Sequence, residues 1–120
     1  MASSNTWLPS ASRTTNQTSP DISTSGFKNV TVTLDVTDVS AAPSVTLSIK
    51  GKDVASGKYR LLLAGAAVTT AVTNVYKVTQ NIVAAAANVS AVDVLPEFIQ
   101  ISIVANNANA GTYSVGYDLI

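Results

Sequence analysis

Between residues 30 and 37, Val30, Val32, Leu34 and Val36 alternate with Thr31, Thr33, Asp35 and Thr37. Side chains two apart share a face only in an extended chain, so this is a strand with one face in a core and the other in water. The same period returns in Val45, Leu47 and Ile49 against Thr46, Ser48 and Lys50. It returns again in Ile99, Ile101 and Ile103 against Gln100 and Ser102, and in Tyr113, Val115, Tyr117 and Leu119 against Ser114, Gly116 and Asp118. Val, Ile and Thr make 37 of the 120 residues, and these stiff β-branched types suit a pleated surface better than a helix. Gly, Pro or Asn punctuate the runs. The pattern predicts an all-β chain: a single β-sandwich of about seven mostly antiparallel strands, jelly-roll or immunoglobulin-like. By itself it also admits a closed barrel.

Between these runs, Ser40 to Pro43 reads as a turn joining the first two strands into a hairpin, and Asn106, Asn107, Asn109 and Gly111 as the turn of a terminal hairpin. Residues 51–57 read as a loop, 59–63 as a short strand, 64–70 as a connection and 72–78 as another strand. Residues 82–94 are ambiguous, because Ala84 to Ala87 favour helix while Val83, Val89, Val92 and Val94 favour strand. No period repeats along the chain.

The first 27 residues differ. Twelve are Ser or Thr, and Trp7, Leu8, Ile22 and Phe27 are the large apolar groups. Fixing each backbone residue costs about 1–2 kcal/mol, more in total than four apolar side chains offset. This divides the chain into an extended N-terminal arm, 1–27, and a β-sandwich domain, 28–120. The expectation is an arm ordered by another chain, with Trp7, Leu8, Ile22 and Phe27 as anchors; the alternative is an arm folded back on its own domain.

Much chemistry is excluded by composition. Without Cys or His there is no thiolate nucleophile, no imidazole general base and no Cys- or His-bound metal, so no enzyme activity, cofactor or metal is expected. Seven Lys and Arg against seven Asp and Glu leave no field to draw nucleic acid or an anionic membrane. Residues 1–13 carry no apolar stretch of secretory type, and the apolar run 61–68, broken by Gly65, is too short to span a bilayer. Gly51-Lys52-Asp53-Val54-Ala55-Ser56-Gly57-Lys58 has one residue too many between its glycines for a phosphate loop, and a strand rather than a helix follows it. It is expected to be a solvated hairpin loop. With its flanks it gathers Lys50, Lys52, Lys58 and Arg60 against Asp53 alone, a basic patch that could dock on an acidic neighbour. Asp35, Asp38 and Asp118 fall on polar faces or strand ends with no spacing that suggests acid-base work. Three Asn-x-Ser/Thr patterns, at Asn16, Asn29 and Asn88, are expected by chance in such a composition.

Several runs together resemble a known family. Thr33-Leu34-Asp35-Val36-Thr37, the passage from Val45 through Lys50 into Gly51 to Tyr59, the step Val94-Leu95-Pro96 and the closing Thr112-Tyr113-Ser114-Val115-Gly116-Tyr117 are similar to small virion proteins of tailed bacteriophages, of the capsid cement or decoration kind. The resemblance covers residues 28–120. It implies a non-enzymatic, homo-oligomeric structural protein on the capsid surface, made in the host cytoplasm, with the major capsid protein and copies of itself as partners. Glu97-Phe98-Ile99-Gln100-Ile101 stands where the family pattern is aromatic and basic, so no functional residue carries over by motif. A second reading is a carbohydrate-binding or host-attachment module of a tail, collar or fibre, contacting a surface glycan through Tyr113, Tyr117 or Tyr59.

Overall fold

The computed structural model describes residues 3–79, 89–92 and 95–120, with residues 89–92 described by their backbone. Ten strands follow in chain order: β1 Ser3–Arg13, β2 Gln17–Thr18, β3 Ile22–Ser23, β4 Val30–Asp38, β5 Val45–Lys52, β6 Tyr59–Ala64, β7 Thr73–Thr79, β8 Val89–Val92, β9 Phe98–Ala105 and β10 Gly111–Leu119. They form two sheets, one ordered β1-β10-β4-β7-β8 and the other β2-β9-β5-β6, with β3 also pairing β9. All pairings are antiparallel except β7 with β8.

One long hairpin explains this order. Strand β1 pairs β10, β2 and β3 pair β9, β4 pairs β7, and β5 pairs β6. Rolling that hairpin up sets β10 beside β4 and β9 beside β5. This is the jelly-roll solution of the edge problem, with two facing sheets closing one core. The alternating runs build its centre. Val32, Leu34, Leu47, Ile49, Val78, Ile99, Ile101, Ile103 and Val115 lose all exposure between the sheets, while the polar neighbours on β4 and β5 are turned toward water.

The two expected hairpins do not form. Strands β4 and β5 lie in opposite sheets, as do β9 and β10, so residues 39–44 and 106–110 cross from one layer to the other. Side-chain chemistry pins the two crossings together. Ala42 sits at φ 58, and its carbonyl accepts hydrogen bonds from Asn107 Nδ2 at 3.2 Å and Asn109 Nδ2 at 3.0 Å. Asn106 Nδ2 donates to Ser44 Oγ at 3.1 Å and Thr46 Oγ1 at 2.9 Å. The asparagines thus clamp a crossing instead of making a turn. Residues 53–58 are the expected hairpin loop, joining β5 to β6 with Gly57 at φ 72. Of the ambiguous stretch 82–94, residues 89–92 are strand β8 and the rest lies outside the described residues.

The larger revision concerns residues 3–27 of the expected arm, whose strand partners in the structure belong to their own domain. Strand β1 lies along β10 from Ser3 opposite Leu119 to Arg13 opposite Gly111. Ser19 stands in for a strand residue: its N–H donates to Ile101 O at 2.8 Å, and its Oγ accepts from Ile101 N at 2.8 Å. Thr24 N–H donates to Glu97 O at 2.9 Å. The ordering cost estimated from composition is offset mainly by the backbone. Strands β10 and β9 would otherwise bury one side of their edges against nothing, with their N–H and C=O groups unpaired.

Candidate interaction surfaces

The four apolar residues expected as arm anchors are seated on the core. Ile22 is buried at 8% exposure opposite Ile99, and Trp7, Leu8 and Phe27 pack partly buried against the same cluster. Ile22 in particular is closed to any partner, because β3 carries it into the space between the sheets.

The basic patch keeps its place on the β5–β6 hairpin but loses part of its charge. Lys50 and Lys52 share the outer face of their sheet, opposite Leu61 and Tyr59 of β6. Lys58 lies exposed at the end of the loop, and Arg60 follows on β6. Lys52 Nζ sits 2.7 Å from Asp21 Oδ2, a residue 31 positions away that the β2–β3 link supplies. Tyr59 Oη donates to the other oxygen of Asp21, and its ring lies 6.0 Å from Lys52 Nζ. The hydrogen bonds from Lys52 and Tyr59 hold the Asp21 carboxyl below its ordinary range, while Asp21 in turn raises Lys52 and Tyr59. Asp21 lowers the local surplus from three positive charges to two. Beside it, Val54, Tyr59 and Leu61 leave apolar surface exposed.

Arg13 performs a task that composition did not suggest. Strand β1 is irregular between Thr6 and Leu8 and again between Leu8 and Ala11, which leaves carbonyls without ladder partners. The Arg13 guanidinium gathers them, donating to Pro9 O, to Ala11 O at 3.2 Å and to Tyr113 O across the sheet. It also lies 4.9 Å from the centre of the Tyr113 ring. Pro9 and the two irregularities blunt the outer edge of β1 against indiscriminate strand pairing.

Of the tyrosines considered for glycan contact, Tyr113 is 1% exposed in the core, where burial pushes its phenol upward against the opposing charge of Arg13. Tyr117 is partly buried at the margin of the core. On the outer face of the β1-containing sheet, Thr6, Leu8, Pro9, Thr33, Asp35, Thr73 and Ser114 border a shallow groove with Gly116 in its lining, and Thr73 Oγ1 donates to Asp35 Oδ1 at 2.8 Å. Among the described residues no three carboxylates gather as a metal site, and no helix is long and apolar enough to cross a membrane.

This geometry defines a class by fold: a jelly-roll module whose exposed features are sheet edges, hairpin loops and shallow grooves. Among solved structures, the chain is similar to the crystal structure of the SPBc2 prophage-derived protein YomS, with a TM-score of 0.58 and 11% identity over 99% of this chain and 92% of that one. It is also similar to a chain in the structure of infectious bursal disease virus, Gx strain, with a TM-score of 0.52, 11% identity and coverage of 99% and 32%. The Gt strain gives a TM-score of 0.56 and 10% identity with the same coverage. The chain therefore spans about a third of the length of these two viral chains. At such identity the likeness is one of fold. The sequence matches no family model and no curated protein.

Proposed function

We propose that this protein is a non-enzymatic structural component of a virion, acting as a capsid cement or decoration protein. The observation that carries the reading is its topology. Nearly the whole chain is consumed in one rolled hairpin, a fold shared over 99% of its length with a prophage-derived protein and with chains of a virus structure. Its partners are the major capsid protein and further copies of itself. The contact surface is the exposed flank of the β5–β6 hairpin, which carries Lys50, Lys58, Val54, Tyr59 and Leu61, with Arg60 next to them along β6, together with the blunted outer edge of β1. Ligands that bind only the assembled state stabilise it by mass action, and many weak contacts repeated over a shell accumulate.

The test is to purify particles from the virus or lysogen that encodes the protein, strip it off and add back the full chain. Association in fixed stoichiometry, restored on re-addition and accompanied by a higher temperature of shell disruption, is expected. Absence from particles, or no rebinding to intact shells, overturns the proposal.

A further inference from the structure

Strand β1 is held differently from the strands it completes. None of its 11 side chains is buried, whereas β4 and β10 send alternate residues into the core. Among the described residues the buried cluster starts at Ile22, and β1 adds to it the partly buried Trp7 and Leu8. Its hold on β10 is therefore mainly the backbone ladder, interrupted at two places, and the Arg13 guanidinium, which ties Pro9 O and Ala11 O of β1 to Tyr113 O of β10.

The chain is fastened again directly after β1, and to the other sheet. Asn16 Oδ1 accepts from Ala105 N at 2.8 Å, Gln17 and Thr18 pair with Ile103 and Ser102, and Ser19 bonds Ile101 through both its N–H and its Oγ. Release of β1 would leave β2 and β3 on β9 and β10 on β4. Thr14 and Thr15 alone lie between the two fastenings. Three Cα steps reach at most about 11 Å, close to the roughly 10 Å between packed sheets. The link has almost no slack, and links this short favour handing a strand to a neighbour.

We propose that β1 is exchanged between copies of this chain, each copy laying residues 3–13 along β10 of its neighbour in the register seen within one chain. The closed and exchanged forms contain the same ladder, the same Trp7 and Leu8 contacts and the same Arg13 bonds. They differ in the conformation of the two-residue link and in the entropy of association. The entropic cost shrinks as copies are crowded, as they would be on a shell. Exchange gives the contact between copies in the proposed role a definite form, and it rests on that reading for the crowding alone.

Because the chain has no Cys, introduced cysteines report the exchange on the isolated full chain. Ser4 lies opposite Asp118 in the ladder, and Thr31 lies one strand further on, beside Asp118. Chains carrying Ser4→Cys are mixed with chains carrying Asp118→Cys at about millimolar concentration, incubated reduced and then oxidised mildly. A disulfide-linked heterodimer, identified by mass, is expected at least about tenfold in excess of that from Ser4→Cys with Thr31→Cys, whose Cα atoms stand too far apart in either form. Adding Arg13→Ala to the Ser4→Cys chain is expected to shorten the half-time of its appearance about fivefold. A yield no greater than that of the Thr31 pair, or a half-time that Arg13→Ala leaves unchanged, would overturn the proposal. No shell is present, so either result leaves the binding of particles to its own test.

Discussion

At Asp21, one carboxylate ties three parts of the chain: its own β2–β3 link, the end of β5 through Lys52 and the start of β6 through Tyr59. Its pKa is lowered by those hydrogen bonds, so the stability it contributes is present above the unfolded-state value and lost as pH falls through the folded one. Lys52 and Tyr59 are raised, so their share is present below their unfolded values and lost as pH rises through the folded ones. Asp21→Asn is therefore expected to lower the urea midpoint slightly at neutral pH, by a gap that shrinks as pH falls through the folded-state value. A gap that persists in acid would show that the pair is not its source. Gly65 shows a steric limit of a different kind. A Cβ there would stand 2.8 Å from Tyr76 Cε2 and 2.9 Å from the Leu47 carbonyl oxygen, and neither a 1%-exposed ring nor a backbone atom gives way easily. Gly65→Ala is expected to cost about 1–3 kcal/mol in denaturant unfolding; a neutral substitution would contradict this packing.

Among the elements, legibility divides by what holds each strand. Strands β4, β5, β9 and β10 were readable because one face is buried and the other wet, which writes period two into the sequence. Their pairings were not readable. A link of six residues such as 39–44 can close a hairpin or cross the roughly 10 Å between sheets, and turn-forming residues serve both. Strand β1 carries no period at all, because it is an edge held through main-chain bonds that any side chain permits. Asp21 could not be found as the partner of Lys52 for a related reason: only the rolled hairpin brings positions 31 apart together. Two substitutions probe these edges. Arg13→Ala removes the donors gathered at the β1 irregularities and is expected to speed amide exchange in β1 selectively, with the global unfolding midpoint little changed. Uniform exchange across the sheet would rule out that local role. Ile22→Ala empties a core position supplied by β3 and is expected to cost about 2–4 kcal/mol of global stability, whereas a surface anchor would lose almost nothing.

For the whole molecule, the jelly roll bears on how the proposed contact with a shell would form. A detached arm would bind by ordering on its partner, a process that carries a large entropic cost. A finished module brings its edges and loops already fixed, so association carries little of that cost and depends on matched surfaces instead. The sequence suggested the first arrangement, because Ser- and Thr-rich composition reads as disorder when the sheet edges that receive it are out of view. The closing strands of both sheets give the alternative arrangement, the arm folded back on its own domain. Residues 3–23 complete the rims of a core whose centre lies after residue 30.

Hydrogen exchange on the purified monomer, at a concentration too low for self-association, asks directly whether the first 27 residues belong to the fold. The β1 amides that face β10, with those of Ser19 and Thr24, are expected to exchange at least about tenfold more slowly than the loop amides at 54–56. Exchange of residues 3–24 as fast as that loop, while β4, β5 and β9 stay protected, would contradict the rolled-hairpin account.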